Sequence, residues 1–513
     1  MNELATIDYI IIVVYMSGVL FIGSYFGKFV KTSGDLFLAG RSLPFWAIGM
    51  SIVVSDIGAL DLIGGAGGAY DRGIAQANFD WIGSVPALLV AAFIFVPYYW
   101  RAGVYTLPEF IGRRYNGLAR WLLATVLLFF MVLTLSIMLW TAAVFLNTVL
   151  GWPHYVGIWV TAIIVGMYTV SGGLAAVVIT DVMQLVVMFV GTAALLAIGL
   201  WEVGGWTGLK EAVLAQPGVD EDYFRLLQPH EPDNEYPWPG MVFSLGIIMS
   251  TGYYVGNQAV MQRALGARSE WHAKASMITA GLFKLAIPFL VLLPGLAARA
   301  LVPDLEKHDE AIPTLMNLLL PAGLKGLMFA AFFAALMSSV DSYLNSCVTI
   351  FTGDIARPLH NFVTKTKLTG RKGLILGRIT TAVVLVFAAA YAKSFSEAET
   401  LYVIVQTLLS LFQGPTLAIL LLGIFWRRAT AWGGVAGLLV GFCFTFGLNR
   451  IGGSIFMAGD TFLFVSIWSF IFSLLATVIV SLLTKPEPPE KLEGLVYGSV
   501  VTRDIEPSEE PDA

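Results

Sequence analysis

The chain has 513 residues, of which 57% are hydrophobic and only 13% are Asp, Glu, Lys or Arg, and its mean hydropathy is +0.78. A soluble chain carries roughly twice that charged fraction, and no stretch of domain length is hydrophilic, so these figures exclude a soluble protein, a disordered chain, a collagen-like repeat and a secreted disulfide scaffold. The net charge of −5 comes with no basic region to hold nucleic acid. The two cysteines, Cys347 and Cys443, both lie in apolar runs and say nothing of redox compartment.

A helix that crosses a bilayer needs roughly 20 mostly apolar residues. Thirteen candidate spans follow one another near 7–27, 45–70, 78–100, 119–149, 155–170, 174–201, 240–262, 275–299, 324–354, 374–392, 398–425, 429–449 and 460–484. The first is too long for a removable signal peptide and lacks a small-residue cleavage site. Positive charge is retained in cytoplasmic loops. Of the 30 Lys and Arg residues, 21 fall in the loops that would be inside if the N-terminus is outside, Arg263 among them; eight fall outside and Lys284 lies within a span. The expectation is therefore an all-α polytopic membrane protein, N-out and C-in, in the plasma (inner) membrane. The segment 202–239 is an acidic outer loop rich in Pro and Trp, and 485–513 is a polar cytoplasmic tail.

The second span, SIVVSDIGALDLIGGAGGAY, holds Asp56, Asp61 and five glycines. A mid-membrane carboxylate costs about 3 kcal/mol on insertion scales, and glycine is a poor helix former. Close packing alone would explain Gly64, Gly67 and Gly68 but not the acids, so an interrupted helix is expected. Broken helices at membrane depth are tolerated where they line a cavity, and their freed carbonyls and helix ends hold ions or solute. Five spans later SLGIIMSTGYYVGNQAVMQR carries Gly252 and Gly256 among Ser250, Thr251, Asn257 and Gln258, and a second interruption is expected there. One broken helix opening each of two five-helix sets is the signature of an inverted repeat with its site at the midplane. The halves would be 45–201 and 240–425, preceded by an extra helix at 1–27 and followed by accessory helices at 429–484.

In AAFFAALMSSVDSYLNS, the residues Ala335, Ser338, Ser339 and Ser342 recur at helical spacing with Asp341 and Asn345 beside them. Hydroxyls, carboxylates and carbonyls are the hard oxygen ligands that a small desolvated cation requires. Serine pairs also serve as interhelical glue, a reading that Asp341 weakens. Asp181 lies roughly 12 Å into its helix and Lys284 about 15 Å beyond Lys274 by helical rise. So deep a lysine needs a partner, for which Asp80 is a candidate. The five histidines lie in loops or at helix ends, and neither a P-loop nor an HExxH motif occurs, so no enzyme is expected.

With these residues in view, the chain resembles the sodium:solute symporter family, whose core is the inverted five-helix repeat also seen in LeuT. The resemblance runs from DLFLAGRSLPFWAIGMS through VYTLPEFIGRRYN, YTVSGGLAAVVITDVMQ, KLAIPFLVLLPGLAA and LMSSVDSYLNS to LLLGIFWRR and is strongest to the sodium/sugar branch. It implies a secondary active transporter that couples Na+ to a small polar solute by alternating access. A sodium site would use backbone oxygens of Val54, Ile57 and Ala335 and the hydroxyls of Ser338 and Ser339, supported by Asp181. Asp56, Asp341 and Ser342 fall where other members support that site or form a second one. Lys284 and Gln406 match residues that hydrogen-bond sugar hydroxyls, Asp80 replaces a glutamate, and Tyr254 resembles the tyrosine that covers the sugar from the inner side. Asp61, Thr251 and Tyr402 line up with a glutamine, an asparagine and a phenylalanine of that branch. The implied solute is a sugar or polyol, while Asp61 with Asp80 would also suit an amino-bearing solute. An amino acid, a monocarboxylate, inositol, proton coupling and a non-transporting sensor stay open as alternatives.

Overall fold

The computed structural model describes residues 4–27, 37–231, 234–365, 371–396, 401–456 and 461–499. Among these the architecture is all-helical, with two isolated β-bridges, Leu43 with Ala267 and Gln228 with Pro237. The helices, in chain order, are α1 Thr6–Gly27, α2 Phe45–Asp56, α3 Asp61–Ala77, α4 Phe79–Ala102, α5 Leu107–Arg114, α6 Gly117–Leu150, α7 His154–Met167 and α8 Gly173–Glu202. They continue with α9 Gly205–Leu214, α10 Gly240–Gly256, α11 Gln258–Leu265, α12 Glu270–Leu301, α13 Ala311–Leu319 and α14 Leu324–Thr364. The last four are α15 Arg371–Tyr391, α16 Leu401–Phe425, α17 Ala431–Phe456 and α18 Phe462–Leu483.

By length and composition, ten described helices are long and apolar enough to cross a membrane, and eleven if the bent pair α2 and α3 is one span. The shorter apolar α7 and α10 occupy two more of the thirteen positions read from the sequence. The segments α7 and α8 belong to a single helical run that turns at Gly173, whose φ of 60° and ψ of −179° suit glycine. Local chemistry marks other ends: Asn116 caps α6 by accepting the Ala119 N–H at 2.9 Å, and Gly151 closes it in the left-handed region at φ 71°.

Burial sorts the helices. In α14 the most apolar window is 94% buried, against 17% in α1, so α14 is the central rod and α1 lies at the periphery facing lipid. The rod packs against the α7 and α8 run, α1, α6 and α2. Asp8 of α1 fixes the start of α14, since its Oδ1 accepts the N–H groups of Gly323 and Gly326, both at 2.7 Å. Those are amides that a helix start otherwise leaves unpaired.

Both expected interruptions are present. The chain bends by 61° between α2 and α3. Helical bonding ends with Ile57 N–H on Val53 O at 2.9 Å, and Ile57 leaves helical space at φ −91°, ψ 74°. The glycines beyond the break also pack closely: a Cβ on Gly67 would lie 2.9 Å from the His308 carbonyl. In the second broken helix the interruption falls at Asn257, one of the residues expected there, with φ −90° and ψ 119°, while Gly252 stays helical. Gly252 sits inside α10 because α16 crosses there, and a Cβ would meet the Gln413 carbonyl oxygen at 2.5 Å. Asn257 then starts α11 by accepting the Ala259 N–H at 2.9 Å.

Arg263, counted among loop charges in the sequence, is 1% exposed, and its guanidinium lies inside the helix bundle. α11 turns it inward, and its charge therefore drops out of the loop bias.

Candidate functional site

Two adjoining constellations form where the broken helices meet α12, α14 and α16. The first lines a cavity of about 920 Å³, open mouth included. A chain of polar contacts crosses it. Tyr254 of α10 donates to Asp56 Oδ2 at 2.6 Å, Lys284 Nζ lies 2.6 Å from the same oxygen, and the ammonium reaches Asp80 Oδ1 at 2.9 Å. Both broken helices, α4 and α12 are thus tied through one lysine. Lys284 is 4% exposed, and a buried ammonium needs such partners. The lysine's expected partner Asp80 is in place, and Asp56 is a second one.

Asp61 opens α3 and faces the same cavity, as do Tyr402 and Gln406 of α16. Phe79 and Tyr402 meet edge to face at 5.2 Å between ring centroids, and Tyr236 packs on Phe79 at 5.5 Å. The Tyr236 hydroxyl donates to Gln76 Oε1 at 2.8 Å and accepts from Arg72 at 3.0 Å. These groups close one end, while Tyr253, Tyr254 and Tyr343 line the wall beside the breaks. Of the seven solute-side residues read from the sequence, Asp61, Asp80, Tyr254, Lys284, Tyr402 and Gln406 share this wall; Thr251 does not. The sequence reading passed over Gln76 and Gln413. Gln413 is 2% exposed, lines the cavity, and its Oε1 has no hydrogen-bond partner in the described structure. A glutamine inside the apolar run LLSLFQGPTL was the available signal.

The second constellation lies on the other side of the α2 break, against α14 and α8. Ser339 Oγ donates at 3.0 Å to the carbonyls of Ser55 and Ala335, and Ser338 Oγ is 2.8 Å from Ser55 Oγ. This close approach requires Gly58, where a Cβ would lie 2.3 Å from Ser339 Oγ. Asp181 of α8 accepts from Ser51 at 2.5 Å and from Ser55 at 3.3 Å through Oδ2, while its buried Oδ1 has no hydrogen-bond partner in the described structure. Arg263 donates to Asp181 Oδ2 at 3.1 Å, Ser51 Oγ at 2.6 Å, Ser55 Oγ at 2.7 Å and the Ser342 hydroxyl. Thr169 donates to Asp341 Oδ1 on the neighbouring turn of α14. Val54 and Ile57 supply the backbone of the break, both fully buried. Chemically this is a set of hard oxygens around a helix end, suited to an alkali-metal ion. Among the described residues no three His, Cys, Asp or Glu side chains converge as a transition-metal or calcium cluster would.

A cavity between two interrupted helices, with an oxygen-rich pocket behind one break, defines a membrane protein of the solute-transporter class. The fold is similar to that of a Na+-coupled sialic acid symporter in a substrate-bound outward-open state, which superposes with a TM-score of 0.81 at 21% identity, over 94% of this chain and 99% of that one. A nucleobase-cation-symport-1 family transporter shares the fold more loosely, with a TM-score of 0.53 at 12% identity over 90% of this chain and 97% of its own. Residues 36–441 match the family model of the Sodium:solute symporter family, and the chain belongs to that family. Sodium/glucose cotransporter 1 of Oryctolagus cuniculus is 32% identical over 542 residues, spanning 96% of this chain and 81% of its own. The Homo sapiens sodium/myo-inositol cotransporter is 32% identical over 573 residues, 99% of this chain and 78% of its own.

Proposed function

We propose that the chain is a secondary active transporter that couples inward movement of Na+ to uptake of a small polyhydroxylated solute, a sugar or polyol, across a plasma (inner) membrane. The observation that carries this reading is the pairing of the two helix breaks through Tyr254, Asp56 and Lys284, with the serine and Asp181 set directly behind the first break. Inverted repeats at 45–201 and 240–425, thirteen spans with the N-terminus outside, and a cytoplasmic tail at 485–513 belong to the same proposal. The positive-charge bias supports that orientation with Arg263 removed from the count.

Na+ is cargo here. Carbonyls of Val54, Ile57 and Ala335 with the hydroxyls of Ser338 and Ser339 would hold it between α2 and α14. The open Oδ1 of Asp181 offers a further negative oxygen, and Asp56, Asp341 and Ser342 support this ion or a second one. Solute hydroxyls would be met by Lys284, Asp80, Gln406 and Gln413, which between them donate and accept, with Asp61, Tyr254 and Tyr402 completing the site. Both cargoes share the α2 break. An ion that fixes the break in its solute-competent form raises solute affinity, and the solute raises ion affinity by the same factor. A potential of 100 mV adds about 2.3 kcal/mol for each charge moved inward.

The experiment is uptake into proteoliposomes under an inward Na+ gradient, with glucose, galactose and myo-inositol among the solutes. Accumulation that collapses when K+ replaces Na+ is the expected result. Accumulation driven equally by a pH gradient without Na+ would identify proton coupling instead, and binding without accumulation would identify a sensor.

A further inference from the structure

The cavity wall carries three carboxylates, Asp56, Asp61 and Asp80, and one cation, Lys284. Lys284 is committed, 2.6 Å from Asp56 and 2.9 Å from Asp80. Among the described residues no side-chain cation pairs with Asp61. The wall thus holds more carboxyl groups than cations, in a place where each uncompensated buried ion costs several kcal/mol. A neutral sugar would leave that excess in place. A metal ion shared by the acids is not supported, since no three of them converge on one point among the described residues. The sodium oxygens lie behind the break, toward Ser338, Ser339 and Asp181.

A second, independent observation points to a ligand in the same space. Gln413 lines the same cavity, and its buried Oε1 has no hydrogen-bond partner in the described structure; a buried acceptor left bare costs about 1–3 kcal/mol. An acceptor of this kind and a carboxylate without a cation are both met by a solute rich in N–H and O–H donors.

We propose that the preferred solute is a cationic polyhydroxylated amine, an amino sugar or amino polyol, whose ammonium is held by Asp61 while Lys284, Asp80, Gln406 and Gln413 take its hydroxyls. This rests on the symporter reading and narrows its solute class. The ammonium brings the charge that Asp61 lacks and donors for Gln413. It also adds one positive charge to each transport cycle, so the membrane potential drives its uptake more strongly than that of a neutral hexose. An anionic solute is disfavoured by the same acids.

The test uses full-length protein in two arms. In detergent, binding of glucosamine, galactosamine, glucose, N-acetylglucosamine and sialic acid is measured by calorimetry at neutral pH, where the amino sugars are largely protonated. In proteoliposomes, Na+-driven uptake of labelled glucosamine and glucose is measured in parallel. Glucosamine is expected to bind at least about tenfold more tightly than glucose or its N-acetyl derivative, as a hydrogen bond between charged groups implies. Sialic acid should not compete. Asp61→Asn should collapse the amine-to-glucose affinity ratio by about tenfold or more, and Asp61→Glu should restore part of it. Glucose bound and accumulated as well as glucosamine, or an unchanged ratio in Asp61→Asn, would overturn the cationic solute while leaving the symporter reading intact. Asp61-dependent amine binding with no Na+-driven accumulation would support the solute class and remove the symporter reading.

Discussion

Replacing Lys284 by Gln removes the one cation of the cavity wall and leaves Asp56 and Asp80, both within 2.9 Å of the missing ammonium, without their shared partner. The wall then holds three carboxyl groups and no cation among its described lining residues. Lys284 is 4% exposed and Asp80 9%, so solvent screens little of this. Breaking a buried ion pair by removing one partner costs about 3–5 kcal/mol, a large share of a protein's stability margin. Replacing Asp80 by Asn as well removes one of the stranded charges, so the double variant should recover about 1–3 kcal/mol relative to the sum of the single losses. Unfolding in detergent, followed through the 14 tryptophans, gives all four corners of the cycle. Additive losses, with the double variant no better than the sum of the two, would refute the reasoning that the lysine and the aspartate are one electrostatic unit.

Other perturbations reach the remaining parts of the account. Gly58→Ala places a methyl 2.3 Å from Ser339 Oγ; it should cost about 1–3 kcal/mol of overpacking and lower apparent Na+ affinity in uptake assays more than solute affinity. Arg263→Lys keeps the charge but loses the fork that spans Ser51, Ser55 and Asp181. Its Na+ dependence of uptake should shift by about tenfold, and an unchanged dependence would reduce Arg263 to a packing role. Asp309, in the loop before α13, accepts the Leu401 N–H at 3.3 Å, and burial pushes its carboxyl up to about 6. Because the folded state holds that proton more tightly than the unfolded chain, this group's penalty is present above pH 6 and fades as pH falls from about 6 toward the ordinary carboxylate range. Asp309→Asn should therefore stabilise the protein by about 1–3 kcal/mol at pH 7 to 8 and make no difference near pH 4, as thermal unfolding against pH would show.

Much of the architecture was legible because membrane insertion punishes exceptions. Asp56 and Asp61 amid glycines declared the first break, and Lys284 declared its need for an acid. The second break was legible as a cluster that included Asn257, but not which residue of the cluster breaks the helix. Gly252 breaks nothing because it serves the crossing of α16, whereas Asn257 opens the chain while capping α11 with its own side chain. A glycine for close packing and a glycine for a kink look alike until the neighbouring helix is placed. Arg263 was hidden for a different reason. A cation at the end of an apolar run normally faces cytoplasm, and only the turn at Asn257 swings α11 so that the guanidinium points at Asp181. Gln413 was masked by the leucines around it, and its role depends on which face of α16 meets the cavity, a matter of tertiary packing that helical periodicity alone did not assign.

The central claim, that Na+ held behind the first helix break drives solute through the cavity beside it, is tested most directly by one measurement. Proteoliposomes with wild-type or Ser339→Ala protein are loaded with K+, given an outside Na+ gradient, and assayed for glucosamine and glucose accumulation. Accumulation by the wild type that vanishes when outside Na+ is replaced by K+, and that Ser339→Ala abolishes at equal protein incorporation, is the predicted result. Equal accumulation in Na+ and K+, or a Ser339→Ala variant as active as the wild type, would contradict it.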